Sequence, residues 1–262
     1  MSLLKDKVIL ITGSTTGIGA AAVRCCVEAG AKVMIQGRNE IHAKQLCDEL
    51  KGAAKYVICD LAEPDSYAMM VQATVDTFGA LNGLVNNAGI YPRSTIDSAD
   101  ADHFDQVMTV NAKAPMLIIK EAVKVFRKQK IAGSIVNIGS MNAHCGQPDL
   151  LIYSMSKGAL MTMTRNLADA LGREKIRVNC LNVGWTPTEN EIALKRREGL
   201  PDNWQERIPP VYAPIGRLQT PTEVAHHIVF WLSDFSAPTT GAVYEVETYP
   251  IIGRNRISDM KI

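Results

Sequence analysis

Seven short β-rich runs punctuate the chain, at Val8 to Ile11, Lys32 to Gln36, Ala54 to Ile58, Gly83 to Val85, Ser134 to Ile138, Arg177 to Leu181 and Ala242 to Val246. Between them lie longer stretches with helical periodicity, including Ala112 to Lys130 and Leu151 to Leu171. Brief apolar runs without alternation predict strands covered on both faces. Strands separated by helices predict parallel pairing, because parallel neighbours need crossover connections, and right-handed crossovers lay helices on both sides. The expected fold is therefore α/β: a doubly wound, seven-stranded parallel sheet whose ligand cleft lies beyond the carboxyl ends of the strands. No linker, repeat or low-complexity tract divides it, so residues 1–262 are expected to form one domain. The one irregular excursion, 187–221, carries Pro201, Pro209, Pro210 and Pro214, and is expected to be a substrate lid.

Composition narrows the partners. With 28 Lys and Arg against 27 Asp and Glu, the net charge is +1 and the signs are interspersed, which gives no footprint for nucleic acid or an anionic membrane. No stretch approaches about 20 apolar residues, and no basic segment followed by an apolar run opens the chain, so a cytoplasmic protein is expected. The six cysteines (Cys25, Cys26, Cys47, Cys59, Cys145, Cys180) lack metal or redox spacing and are read as reduced, packed thiols. No metal site is expected, and a small molecule is the expected partner.

Thr12-Gly13-Ser14-Thr15-Thr16-Gly17-Ile18-Gly19 follows the first run and opens a helical pattern. It is either a plain tight turn or a phosphate cradle, in which glycines bring the backbone close and a helix N-terminus favours the charge. The second run ends Gln36-Gly37-Arg38, where an acidic residue would bind a ribose 2′-hydroxyl. Arg38 beside a glycine suits a 2′-phosphate instead, or it is a solvated residue at a helix start. Asp60, before Leu61, either meets an adenine or caps the helix beginning near Pro64. Asn86-Asn87-Ala88-Gly89 after the fourth run either approaches a cofactor or makes a turn.

Gly139-Ser140 follow the fifth run, and Tyr153 stands four residues before Lys157 in a helical stretch, so phenol and ammonium share a face. In isolation the pair is ordinary helix surface. Together with Ser140 on a neighbouring strand tip it suits acid/base chemistry: an adjacent cation is expected to lower a phenol whose free pKa is about 10, and Ser140 to bind the substrate oxygen.

Taken in order, T-G-x-x-x-G-I-G, Asn86-Asn87-Ala88-Gly89, Asn111, Ser140 and Tyr153-x-x-x-Lys157 resemble the short-chain dehydrogenase/reductase family over about Lys7 to Val246. The resemblance implies a Rossmann fold and hydride transfer between a nicotinamide and a secondary alcohol or ketone. Ser140, Tyr153, Lys157 and Asn111 would be catalytic, with Asn111 holding a water through its backbone carbonyl. Pro115, four residues on, has no N–H for that carbonyl, unless it merely sits in the first turn of a helix. Gly13, Ser14, Thr15, Gly17, Ile18, Gly19, Arg38, Asp60, Leu61, Asn87, Ala88, Gly89, Tyr153, Lys157, Gly184 and Thr188 would bind the cofactor, with NADP(H) preferred on Arg38 and NAD(H) possible. Relatives mostly form dimers or tetramers through the two long helices, so a homo-oligomer is expected, with a homotetramer among the options.

Departures from the family pattern bear on the substrate. Its usual Pro-Gly is Val183-Gly184 here, and its Asp-Gly-Gly ending is Glu247-Thr248-Tyr249. Pocket candidates are Tyr91, Arg93, Asn142, His144, Cys145, Asn182, Trp185 and Glu189, with Asn142, His144 and Trp185 foremost. This polar set points to a sugar, polyol or keto acid. The alternatives are a 3-oxoacyl-carrier-protein reductase docking through Lys124, Arg127, Lys128 and Lys130, and a dinucleotide-binding regulator without turnover.

Overall fold

Every run of the pattern becomes a strand in the computed structural model, which describes residues 2–210 and 213–248. The strands are β1 (Val8–Ile11), β2 (Lys32–Gly37), β3 (Ala54–Ile58), β4 (Gly83–Asn86), β5 (Ser134–Ser140), β6 (Arg177–Val183) and β7 (Val243–Val246). All pair in parallel in the order β3-β2-β1-β4-β5-β6-β7. Connections run outward in both directions from the β1/β4 junction, which is where a doubly wound sheet opens its cleft.

Alternate strand residues feed two cores. Ile9, Ile11, Val33, Ile35, Val85 and Val136 pack beneath α1 (Gly17–Glu28) and α9 (Pro221–Leu232). On the other face Leu10, Met34, Leu84, Ile135 and Val178 meet α3 (Asp65–Phe78), α5 (Ala114–Gln129) and α7 (Leu151–Leu171). Burial on both faces explains why the strands read as unbroken apolar runs. The remaining helices are α2 (Glu40–Glu49), α4 (Ala101–Met108), the short α6 (Asn142–Cys145) and α8 (Glu189–Arg197).

Three elements differ from the sequence expectation. β5 and β6 each continue two residues past their apolar runs, through polar Ser140 and Asn182, because the ladder between them persists to Ser140 opposite Val183. Ser140 is thus the last residue of its strand, not the loop after it. The stretch expected as one helix from Ala112 is already helical from Ala101, and passes through a π-turn at Thr109–Lys113 before α5. Pro115 near the start of α5 cannot donate to the Asn111 carbonyl; the backbone widens and Ala114 N–H bonds to Thr109 O instead. The 187–221 excursion is not irregular throughout. Thr188 caps α8 by accepting a hydrogen bond from Glu191 N–H (3.2 Å), and Trp204, Ala213 and Leu218 form a small core with Trp185 packed on it. Pro201, Pro209, Pro210 and Pro214 all lie after α8, which leaves Glu189–Arg197 free to be helical.

Among the described residues no helix is long and apolar enough to cross a membrane, and no cluster of three His, Cys, Asp or Glu could hold a metal. The divergent tail from Tyr249 and the side chain of Cys145 lie outside what the structure describes.

Candidate active site

The glycine turn is built by close approach. Gly13 adopts φ +58°, and a Cβ there would lie 2.7 Å from the Ala88 Cα; a Cβ on Gly19 would run into the Gly13 carbonyl and the Asn87 amide. Buried Gln36 fixes the turn by accepting from Gly13 N–H at 2.9 Å and donating to the Cys59 carbonyl. Thr12 Oγ1 accepts from Asn87 N–H and Ala88 N–H at 3.1 Å each, and Asn87 Nδ2 donates to the Thr12 and Gly13 carbonyls, stitching the β1 and β4 tips together. Ser14 turns its hydroxyl inward onto Ile11 O. Thr15 borders Gly37, while Ile18 packs on the core.

Helix α1 begins at Gly17 with no side-chain cap and no acidic residue in its first turn. Its exposed N–H groups favour an anion. A carboxylate already stands there: Glu189 Oε2 accepts from Gly17 N–H at 3.2 Å, and Thr188 lies against Gly17. The turn therefore fits a dinucleotide pyrophosphate by its donors as well as its shape. Arg38 is 72% exposed and lies 3.4 Å from Asp60. Asp60 does not cap α3; its Oδ1 closes a turn onto Ala62 N–H. Leu61 is buried, its carbonyl accepting from the Tyr67 phenol.

At the neighbouring strand tips, Ser140, Tyr153 and Lys157 come together. Ser140 Oγ accepts from Asn142 N–H (3.2 Å), and the serine and Tyr153 side chains are hydrogen-bonded. Lys157, 4% exposed, donates to Ile138 O at 2.8 Å and lies 5.7 Å from the Tyr153 ring centroid. A Cβ on Gly89 would lie 3.4 Å from both Lys157 Nζ and Asn111 Oδ1, so these two groups converge beside Gly89. The Asn111 side chain is committed to structure: it donates to Ile90 O and Ser156 Oγ and accepts from Ile90 N–H.

The expected lowering of the phenol is not found. Burial pushes the Tyr153 phenol up, and the Glu191 charge adds to this, while the Ser140 hydrogen bond opposes it. Burial also brings Lys157 down to about 8. Both charged forms lose hydration in the same low-dielectric recess, and that loss sets the direction of both shifts.

Around Tyr153 lie the expected pocket residues: Tyr91 meets it edge to face at 6.0 Å between centroids. Arg93 is not free for an acidic ligand, since Glu198 (2.7 Å) and Asp149 (3.1 Å) hold it. His144 Nε2 lies 2.9 Å from buried Asn182 Nδ2 and 3.5 Å from Glu245. Trp185 stacks on Trp204 at 4.8 Å and donates from Nε1 to Glu191 Oε1 at 2.9 Å. Gly184 leaves room for the Glu247 carboxylate, which accepts from Trp185 N–H. Sequence reasoning missed Gln36, Ser156 and Glu191. The signal for Gln36 was a lone polar residue ending an apolar strand; Glu191 gave none, since the excursion read as irregular.

A family model described as enoyl-(acyl carrier protein) reductase matches residues 13–248. An uncharacterized oxidoreductase of Thermotoga maritima is 36% identical over 93% of this chain and 96% of its own. The L-fucose dehydrogenase of Mus musculus is 34% identical over 87% of this chain and 82% of its own. Among solved structures, a 3-ketoacyl-(acyl-carrier-protein) reductase from Brucella melitensis complexed with NADH superposes with a TM-score of 0.84, at 28% identity over 97% of this chain and all of that one.

Proposed function

The chain belongs to the short-chain dehydrogenase/reductase family of oxidoreductases, and on that premise we propose that it interconverts a secondary alcohol and a ketone on a polar small molecule. The observation that carries the reading is the convergence of Ser140, Tyr153 and Lys157 at the strand tips beside the glycine turn. A nicotinamide cofactor, when bound, supplies or accepts the hydride. Ser140 directs a hydrogen bond at the substrate oxygen, and Tyr153 gives or takes its proton. The Lys157 ammonium sits where it favours the phenolate once the recess is filled. Arg38 supports NADP(H) over NAD(H), and the 187–221 segment serves as the lid of a single-domain enzyme. A cytoplasmic location and homo-oligomeric assembly complete the reading, the latter supported by apolar Met116 and Met155 exposed on α5 and α7.

A carrier-bound 3-oxoacyl substrate is the second reading, favoured by the likeness to the 3-ketoacyl-(acyl-carrier-protein) reductase, but the basic stretch does not suit docking at the cleft. Lys124 is paired with Glu121 and Arg127 with Glu174. This basic stretch ends the helix that leads into β5, so it lies at the amino ends of the strands, opposite the cleft. A panel of sugars, polyols, hydroxy acids and ketones, assayed with each cofactor, tests the reading. Tyr153→Phe is expected to lower kcat by a factor on the order of 10³ with cofactor binding kept. Activity retained in that variant would sink the mechanism.

A further inference from the structure

Two polar groups near the reacting centre, Tyr91 against Tyr153 and Glu191 close enough for its charge to reach Tyr153, have no part in the proposed proton chemistry. Glu191 lies in the first turn of α8, its N–H bonded to Thr188 Oγ1 and its Oε1 to Trp185 Nε1 (2.9 Å). Trp185 is itself stacked on Trp204, which is 3% exposed, so the carboxylate is fixed in place. Its second oxygen has no hydrogen-bond partner among the described residues, and neither does the half-buried Tyr91 phenol beside Tyr153. Burial is the main cause that raises both phenols, and the Glu191 charge adds to it at each. Arg93 and Arg197 oppose that charge at Tyr91, but Arg93 is held by Asp149 and Glu198, and Arg197 is exposed on α8. Arg93 therefore cannot serve as the carboxylate receptor that a keto acid would need.

We propose that Glu191 determines specificity: its free oxygen accepts a hydroxyl from a neutral polyhydroxylated substrate, with Tyr91 bonding a second hydroxyl, and its charge turns away substrates bearing a carboxylate. The substrate class is then a neutral sugar or polyol, not a keto or hydroxy acid. This rests on Ser140, Tyr153 and Lys157 being the reacting centre. A like charge within a few ångströms of a bound carboxylate, at an intermediate dielectric, costs at least about tenfold in kcat/KM, whereas a hydroxyl donating to a charged acceptor gains about as much.

The test compares substrates matched except for a carboxylate: galactose against galacturonate, and glycerol against glycerate. Glu191→Gln keeps an acceptor for Trp185 and removes the charge. Wild type is expected to prefer the neutral member of each pair. In the variant the preference shrinks about tenfold or more, through a higher KM for the neutral substrate and a lower one for the acid, with kcat little changed. A preference unaltered by Glu191→Gln, or kcat falling equally on both members, overturns the assignment while leaving the reacting centre standing. Wild type inactive on both members of both pairs, yet active on simple ketones, also overturns the assignment. Inactivity on every alcohol and ketone overturns the underlying reading with it.

Discussion

Replacing Lys157 with methionine should make the protein, measured without added cofactor, more stable while abolishing its activity. The ammonium is 4% exposed and burial holds its pKa at about 8 against the ordinary lysine value of 10.5. At about 1.4 kcal/mol per unit, keeping it charged at pH 7 costs about 3 kcal/mol. Methionine fills similar volume without charge but leaves the Ile138 carbonyl without its donor, which takes back about 1–2 kcal/mol. A net gain of about 1–2 kcal/mol remains, or a Tm higher by about 3–6 °C for a chain of this size. The pH dependence is the sharper check. A depressed cation binds fewer protons in the folded than in the unfolded state between about pH 8 and 10.5, so wild-type stability rises through that window. The methionine side chain of Lys157→Met does not titrate, so the gap should shrink by about 2 kcal/mol on going from pH 7 to 9.5. Urea unfolding of both proteins at the two pH values, followed by tryptophan fluorescence, measures it. A gap that stays constant, or a wild type more stable at pH 7, refutes the reasoning.

The raised Tyr153 phenol and its bond to Ser140 set the direction of the pH profiles. Alcohol oxidation needs the phenolate, so its kcat/KM should climb with pH above neutrality, while ketone reduction stays flat from about pH 6 to 8. Ser140→Ala should shift the residual oxidation limb to higher pH, and a limb that moves down would contradict the assignment of that hydrogen bond. Arg38→Ala should weaken NADPH binding about tenfold and leave NADH nearly unchanged, because the exposed Arg38 side chain is paired with Asp60 alone among the described residues. Titrating each cofactor against protein fluorescence decides this, and a wild type that binds NADH more tightly removes the basis for the preference.

The sequence determined the sheet, because a strand covered on both faces must be apolar at nearly every position, and that pattern is local. It also determined the glycine turn, Ser140, Tyr153 and Lys157, whose order and spacing are themselves the signal. It did not carry the ends of β5 and β6, since Gly139, Ser140 and Asn182 are strand residues only because a partner strand continues beside them. Nor did it carry the π-turn ahead of Pro115, which depends on a helix already running from Ala101. The proton affinities depend on tertiary structure in the same way. Four residues of helix put an ammonium near a phenol, but only the folded surroundings strip both of water, and desolvation then sets the direction of both shifts. Arg93 and Glu191 show the same division on the substrate side. Each is a lone charge in the sequence, and it took pairing with Asp149 and Glu198 to neutralise one, and a bond from Trp185 to hold the other in place.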